Sequence, residues 1–188
     1  MKKHLLLILC ALFISVSLGA QSKNNQHLKF MGIPINGSIT NFQNKLIAKG
    51  FKYDKAGSMA LESPTRIYKG LFAGETAQLF VYYDREQKFV YRVKVIIDRS
   101  EPEQIISLMD KYKHQLESKY NTNAHIGNHE EWLAYHLDLQ NGMIDLYCCR
   151  NIYGAGVIKS ILDTYSLHID YFDKLNYKRH DDNNMNDL

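Results

Sequence analysis

Cysteine is scarce in this chain of 188 residues, which contains only three, and two of these, Cys148 and Cys149, are neighbours. Neighbouring cysteines close no long loop, and a disulfide between them would need strained geometry. The sequence therefore excludes a scaffold held together by disulfides, and it lacks the Cys-x-x-Cys spacing on which many structural zinc sites are built. We expect two free thiols, one buried and one nearer the surface.

A surplus of charge of one sign is also lacking. The chain has 23 Lys and Arg residues against 20 Asp and Glu residues. Two of the lysines, Lys2 and Lys3, belong to a segment that we expect to be removed from the mature protein. A chain so close to neutrality has no excess of cations to neutralise phosphates, so we expect no binding to nucleic acid.

One long apolar run is present, at residues 5–16, after a basic start and before small residues that end at Ala20. These three parts are typical of a secretory signal peptide over residues 1–20. The run is shorter than the roughly 20 apolar residues that span a bilayer, so we expect cleavage before Gln21 and no stable membrane insertion. The bulky Leu9 before Cys10 argues against lipidation. The sequence predicts a periplasmic or secreted protein.

Hydrophobic periodicity divides the remainder of the chain. Residues 21–29 are polar and predict a flexible start, residues 30–172 predict one α+β domain, and residues 173–188 predict a frayed polar tail. Apolar residues at helical spacing predict two helices, from an N-cap at Ser38 to Gly50 and from a capping box at Ser100 and Glu103 to Tyr120. Alternation predicts six strands, at 65–72, 76–83, 88–97, 132–139, 143–150 and 164–172.

The order of these elements is helix, three strands, helix, three strands. It predicts an antiparallel sheet of about six strands with two helices on one face. Two arrangements remain open at this point. One is a duplicated helix-plus-three-strands unit with halves at 30–98 and 99–172, and the other is an undivided sheet.

Two stretches carry a resemblance to a family. They are Phe30 to Gly37 with the following helix to Phe51, and Ile169 to Asn176 with the ending Asn186-Asp187-Leu188. Both resemble uncharacterised exported proteins of Bacteroidetes bacteria, a family that implies a secreted domain and supplies no catalytic residues. The element order is also similar to the tandem domains of beta-lactamase-inhibitor-like proteins. That similarity implies binding to other proteins.

A repeated His-x-Asp pattern is the strongest candidate for chemistry. It occurs as His136-Leu137-Asp138 and as His168-Ile169-Asp170. On a strand each copy places His and Asp on one face and the apolar residue on the other. Two imidazoles and two carboxylates suit zinc or another divalent cation. Alternation alone also predicts such polar faces, so we predict no metal or cofactor and keep a metal site at His136, Asp138, His168 and Asp170 as the alternative.

Signatures of catalysis are otherwise absent from the sequence, which contains no HExxH, GxSxG or phosphate-binding loop. His125 and His129 have the spacing of two ligands on one side of a helix. Gly127 and Asn128 lie between them and predict a loop instead. We therefore interpret the protein as non-catalytic in preference to an enzyme.

Aromatic residues join the His and Asp residues on the predicted polar face. This predicted face consists of Trp132, His136, Asp138, Asp145, Tyr147, His168 and Asp170. Because Trp and Tyr are enriched in contact surfaces, the face predicts a binding or interaction module whose partner is a protein or a glycan. We expect Trp132 and Tyr147 to be exposed. The alternative function is a metal-binding protein or a hydrolase that uses the paired His and Asp residues.

Overall fold

The computed structural model describes residues 26–129, 132–151 and 164–186. The predicted signal peptide and most of the predicted flexible start lie outside these ranges. None of the helices within them combines the length and the hydropathy needed to cross a membrane.

Ten strands and four helices make up the described part of the chain. The strands are β1 (Lys29–Phe30), β2 (Ile33–Pro34), β3 (Lys52–Asp54), β4 (Thr65–Phe72), β5 (Glu75–Tyr83), β6 (Val90–Arg99), β7 (His125–His129), β8 (Trp132–Leu139), β9 (Gly142–Asn151) and β10 (Thr164–Asp173). The helices are α1 (Ile39–Ala48), α2 (Lys55–Met59), α3 (Pro102–Tyr120) and α4 (Lys174–Asn186).

Eight of the strands form one antiparallel sheet in the order β3-β4-β5-β6-β10-β9-β8-β7, and β1 pairs with β2 in a small hairpin. The prediction of an α+β fold with an antiparallel sheet is confirmed. Each half is a helix followed by four sequentially paired strands, α1 with β3–β6 and α3 with β7–β10, and in the first half the short α2 lies between β3 and β4. The final strands of the two halves, β6 and β10, pair at the centre of the sheet. The predicted six strands and two helices are too few.

Of the four strands that the sequence missed, β1 and β2 form the small hairpin, and β3 and β7 lie at the edges of the large sheet. β3 has only three residues, and β7 contains Gly127 and Asn128, two residue types that are depleted in strands. The loop predicted between His125 and His129 is therefore a strand. Gly127 has a steric role there, because a Cβ atom at this position would lie 2.4 Å from Nε2 of His136 on the neighbouring strand.

The helices α1 and α3 match their predicted extents. The Oγ atom of Ser38 accepts the main-chain N–H of Asn41 at 3.3 Å, as an N-cap does. At the start of α3 the N-cap residue is Glu101, which forms no side-chain capping hydrogen bond. The capping box predicted from Ser100 and Glu103 is therefore wrong, and Pro102 in the first turn marks the start instead.

The core lies between one face of the sheet and these two helices. Its helical side chains are Ile39, Phe42 and Leu46 of α1 and Ile105, Leu108, Met109, Tyr112 and Leu116 of α3. Cys148 is buried there, and its thiol donates to Sδ of Met109 at 3.5 Å. Burial raises the pKa of Cys148 to about 12. Cys149 is half-buried, and neither Cys148 nor Cys149 forms a disulfide, as predicted.

The end of the chain is a helix where the sequence predicted a frayed tail. The carboxylate of Asp173 is fully buried and accepts the main-chain N–H groups of Leu28 at 2.7 Å and of Asn176 at 2.9 Å. Nδ1 of His27 lies 2.9 Å from the same carboxylate. Asp173 thereby caps α4 and binds His27 and Leu28, two residues of the start that was predicted to be flexible.

Further contacts hold α4 against the end of the sheet. The side-chain amide of Asn176 donates to the main-chain carbonyl of Val90 at 2.8 Å. The imidazole of His180 stacks on Tyr91 with ring centroids 4.1 Å apart, and its Nδ1 lies 3.1 Å from Oδ2 of Asp84. Tyr177 contacts Tyr91 edge-on. These tertiary contacts position the helix, because its own sequence is almost entirely polar.

Candidate functional site

The face of the sheet opposite α1 and α3, here called the outer face, carries the polar residues of the central strands. Alternation with the buried residues of each strand assigns its members. They are Gln78, Phe80 and Tyr82 of β5, Arg92, Lys94 and Ile96 of β6, Ser166, His168, Asp170 and Phe172 of β10, Met143, Asp145, Tyr147 and Cys149 of β9, and Ala134, His136 and Asp138 of β8.

Four outer-face residues lie in one row across four strands. His136 pairs in register with Asp145, Asp145 with Asp170, and Asp170 with Lys94. Nδ1 of His136 lies 2.8 Å from Oδ1 of Asp145. The structure therefore joins two of the predicted site residues, His136 and Asp145, in a cross-strand pair.

Asp170 is the buried centre of this row, with 1 % of its surface exposed. Nε of Arg92 donates to its Oδ1 at 2.7 Å, a second guanidinium N–H donates to Oδ2, and Nζ of Lys94 lies 3.3 Å from Oδ2. The guanidinium also lies 4.6 Å from the ring centroids of both Tyr82 and Phe172. Burial by itself would lower the pKa of Arg92, but the hydrogen bond and charge of Asp170 outweigh it, so this pKa is raised.

Tyr147 lies on the outer face but is not exposed, which corrects the sequence prediction. Only 4 % of its surface is accessible. Its ring centroid lies 4.9 Å from that of His168, and Nζ of Lys94 lies 5.5 Å from the ring centre. Burial raises the pKa of Tyr147 well above its usual value. His168 on the adjacent strand β10 and Lys94 on β6, one strand further, lie against the ring, which alternation alone does not reveal.

Trp132 begins β8, where its backbone pairs with His129. Its side chain lies outside the part of the chain that the structure describes. The prediction that Trp132 is exposed therefore stays a prediction.

The four residues of the alternative metal site are not brought together. β9 lies between β8 and β10, which separates His136 and Asp138 from His168 and Asp170 by two strand spacings, about 10 Å. The carboxylate of Asp170 already forms ion pairs with Arg92 and Lys94. Among the described residues no group of three or more His, Cys, Asp or Glu side chains is placed to hold a metal ion.

A serine and a histidine meet on β10, where Oγ of Ser166 lies 2.9 Å from Nε2 of His168. This pair has the spacing of a nucleophile and its base. Ser166 is fully buried, however, so its hydroxyl is not accessible to a substrate. The pair therefore does not favour the hydrolase alternative.

A cleft of about 610 Å³ opens where the outer face meets α4. Its sheet side consists of Asp138, Leu139, Gly142, Met143 and Phe172, and its helix side of Lys174, Tyr177, Lys178 and Asp181. Asp138, Met143 and Phe172 are consecutive in register across β8, β9 and β10. The volume lies within the range of about 300–1,000 Å³ that is typical of ligand sites.

Of the residues that line this cleft, only Asp138 belongs to the site predicted from the sequence. Met143 and Phe172 follow from the same alternation that selected Asp145 and Asp170. The helix side was missed because α4 was predicted to be unstructured. The cleft and the Arg92–Asp170 pair are connected, since Phe172 lines the first and stacks on the guanidinium of the second.

Comparison of the chain with known protein families, with curated proteins and with solved structures found no match.

Proposed function

We propose that this protein is an exported, non-catalytic module that binds a partner protein in the cleft between α4 and the outer face. The observation that carries the proposal is the cleft itself. It combines apolar side chains, among them Met143, Phe172 and Tyr177, with charged residues of both signs. Such a lining suits a peptide segment or loop that inserts an apolar side chain between charged neighbours.

The aromatic content of the cleft supports a protein partner. Tyr177 is 38 % exposed at its entrance, while its ring packs edge-on against Phe172 with centroids 5.6 Å apart. A rigid, partly exposed tyrosine offers a large contact area at little cost in conformational entropy. Tyrosines of this kind are enriched among the residues that dominate binding energies.

The remainder of the outer face supports a role without catalysis. Its best-placed carboxylates are engaged, Asp170 in ion pairs with Arg92 and Lys94, and Asp145 in a contact with the imidazole of His136. The thiol of Cys148 lies on the opposite, helix-covered face with a pKa of about 12. A thiol with this pKa is protonated at neutral pH and is therefore a poor nucleophile.

The export part of the proposal predicts that the mature protein begins at Gln21 and carries no lipid. The mass of the intact protein recovered from the envelope or the culture medium of the producing cells measures this directly. A mature protein that begins with an acylated Cys10 would contradict it, as would an uncleaved chain confined to the cytoplasm.

The binding part is tested with a library of displayed peptides and, in parallel, a glycan array. We expect the mature protein to select peptides with an apolar residue between charged ones. Lys178→Glu reverses a charge in the cleft and should weaken their binding by about tenfold or more. Lys49→Glu makes the same charge change at an exposed position beyond α1 and should leave binding unchanged.

Equal effects of these two variants would contradict a site in the cleft. Selection of glycans and of no peptide would contradict a protein partner.

A further inference from the structure

A second cavity, of about 320 Å³, lies in the other half of the molecule, between α2, the start of β4 and the end of β5. This cavity contains none of the predicted site residues, and it is separate from the proposed partner cleft. Arg66, Arg85, Tyr53 and Tyr83 are among the residues that line it. Among the described residues that line it, none is Asp or Glu.

The guanidinium of Arg66 is held in a fixed position in this cavity. Its Nη1 donates to Oε1 of Gln43 on α1 at 2.7 Å, and the hydroxyl of Tyr68 donates to the same oxygen at 3.1 Å. The guanidinium carbon lies 5.8 Å from the ring centroids of both Tyr53 and Tyr83. An amide on one side and two aromatic rings therefore orient a half-buried cation.

No carboxylate in the described ranges forms an ion pair with Arg66 or Arg85. The Nη2 atom of Arg85 donates to the main-chain oxygen of Glu62 at 3.0 Å. Asp54, which caps α2, lies 2.8 Å from Nζ of Lys69 and is thereby engaged elsewhere. The cavity thus holds the half-buried guanidinium of Arg66 and the exposed guanidinium of Arg85 without a carboxylate partner. For Arg66 this is costly, because a half-buried charge loses hydration that only a partner restores.

The remaining lining residues indicate what would complete this site. Oγ of Ser63 and Oγ1 of Thr65 lie 2.9 Å apart and add hydroxyl donors. Met59, which is 73 % exposed, and Leu61 add an apolar surface beside the two tyrosines. A guanidinium presents parallel N–H groups that match the two oxygens of a carboxylate or a phosphate.

We propose that this cavity binds a small organic anion, a carboxylate or phosphate group on an aromatic or apolar body. The anionic group pairs with Arg66 and Arg85, and the body lies against the tyrosines and Met59. The site is independent of the proposed partner cleft, which lies at α4 and shares no residue with it.

Isothermal titration calorimetry of the mature chain with four probes tests the proposal. Phenyl phosphate and benzoate carry both the anion and the ring, inorganic phosphate carries only the anion, and phenol carries only the ring. We expect a dissociation constant of about 1 mM or tighter for phenyl phosphate or benzoate, and weaker binding of inorganic phosphate and phenol. The stronger of the first two identifies the anionic group.

Variants locate the site. Arg66→Gln should weaken binding by about tenfold or more, because charge-assisted hydrogen bonds are lost. Arg66→Lys keeps the positive charge but lacks the parallel N–H groups of the guanidinium, so it should bind more tightly than Arg66→Gln and less tightly than the wild-type protein. Arg85→Gln changes an exposed residue whose loss the fold tolerates, and it should also weaken binding, whereas Lys49→Gln should not. Absence of saturable binding, or equal affinities of Arg85→Gln and Lys49→Gln, would overturn the proposal.

Discussion

Replacing Asp170 by Ala is expected to lower the free energy of unfolding by about 3–5 kcal/mol, which is the usual cost of removing one partner from a buried ion pair. The carboxylate is 1 % exposed and holds both Arg92 and Lys94. Without it, two cations at the centre of the sheet lose their compensating charge. Urea denaturation followed by circular dichroism measures the loss.

Asp138→Ala is the matched control for this variant. Asp138 lies on the same outer face, two strands from Asp170, and is exposed. Its replacement should change the free energy of unfolding by no more than about 0.5 kcal/mol. A loss below about 1 kcal/mol for Asp170→Ala would mean that the pair contributes no more than an ion pair on the surface does.

The second large effect is expected for Tyr147→Ala, which should cost about 3–5 kcal/mol, as the removal of a buried aromatic ring commonly does. The ring packs against His168 and below Lys94, with 4 % of its surface exposed. Thermal and urea denaturation of the purified variant measure the effect.

Tyr147→Phe separates packing from hydrogen bonding, because it keeps the ring and removes only the hydroxyl. It should cost no more than about 1.5 kcal/mol. If Tyr147→Ala were as stable as the wild-type protein, the ring would be exposed, as strand alternation had first indicated.

Regular alternation in β8, β9 and β10 was sufficient to predict that His136, Asp145 and Asp170 share one face of the sheet, whereas the side chain of Trp132 lies outside the described part of the chain. It could not predict which of them are buried. Asp170 and Arg92 are 78 residues apart in the chain, and their pairing depends on β10 returning to lie beside β6. Whether Asp170 is exposed or buried is therefore set by the topology of the sheet and not by the local sequence pattern.

The missing elements have a similar explanation. α4 has the composition of a solvated tail, and its contacts with distant segments, among them the buried contacts of Asp173 and Asn176, make it a docked helix. The short edge strands β3 and β7 carry too few apolar residues to show a period of two. Because α4 forms one side of the cleft, local hydrophobic periodicity could not predict the proposed binding site.

The most direct test of the proposed function is amide chemical-shift mapping of the mature protein with a peptide selected by the library. Binding in the cleft predicts that the largest shifts fall at the start of β9, at Gly142 and Met143, and in the first turns of α4, from Lys174 to Lys178. Shifts confined to α1, to α3 or to the cavity around Arg66, with none at α4, would contradict the account.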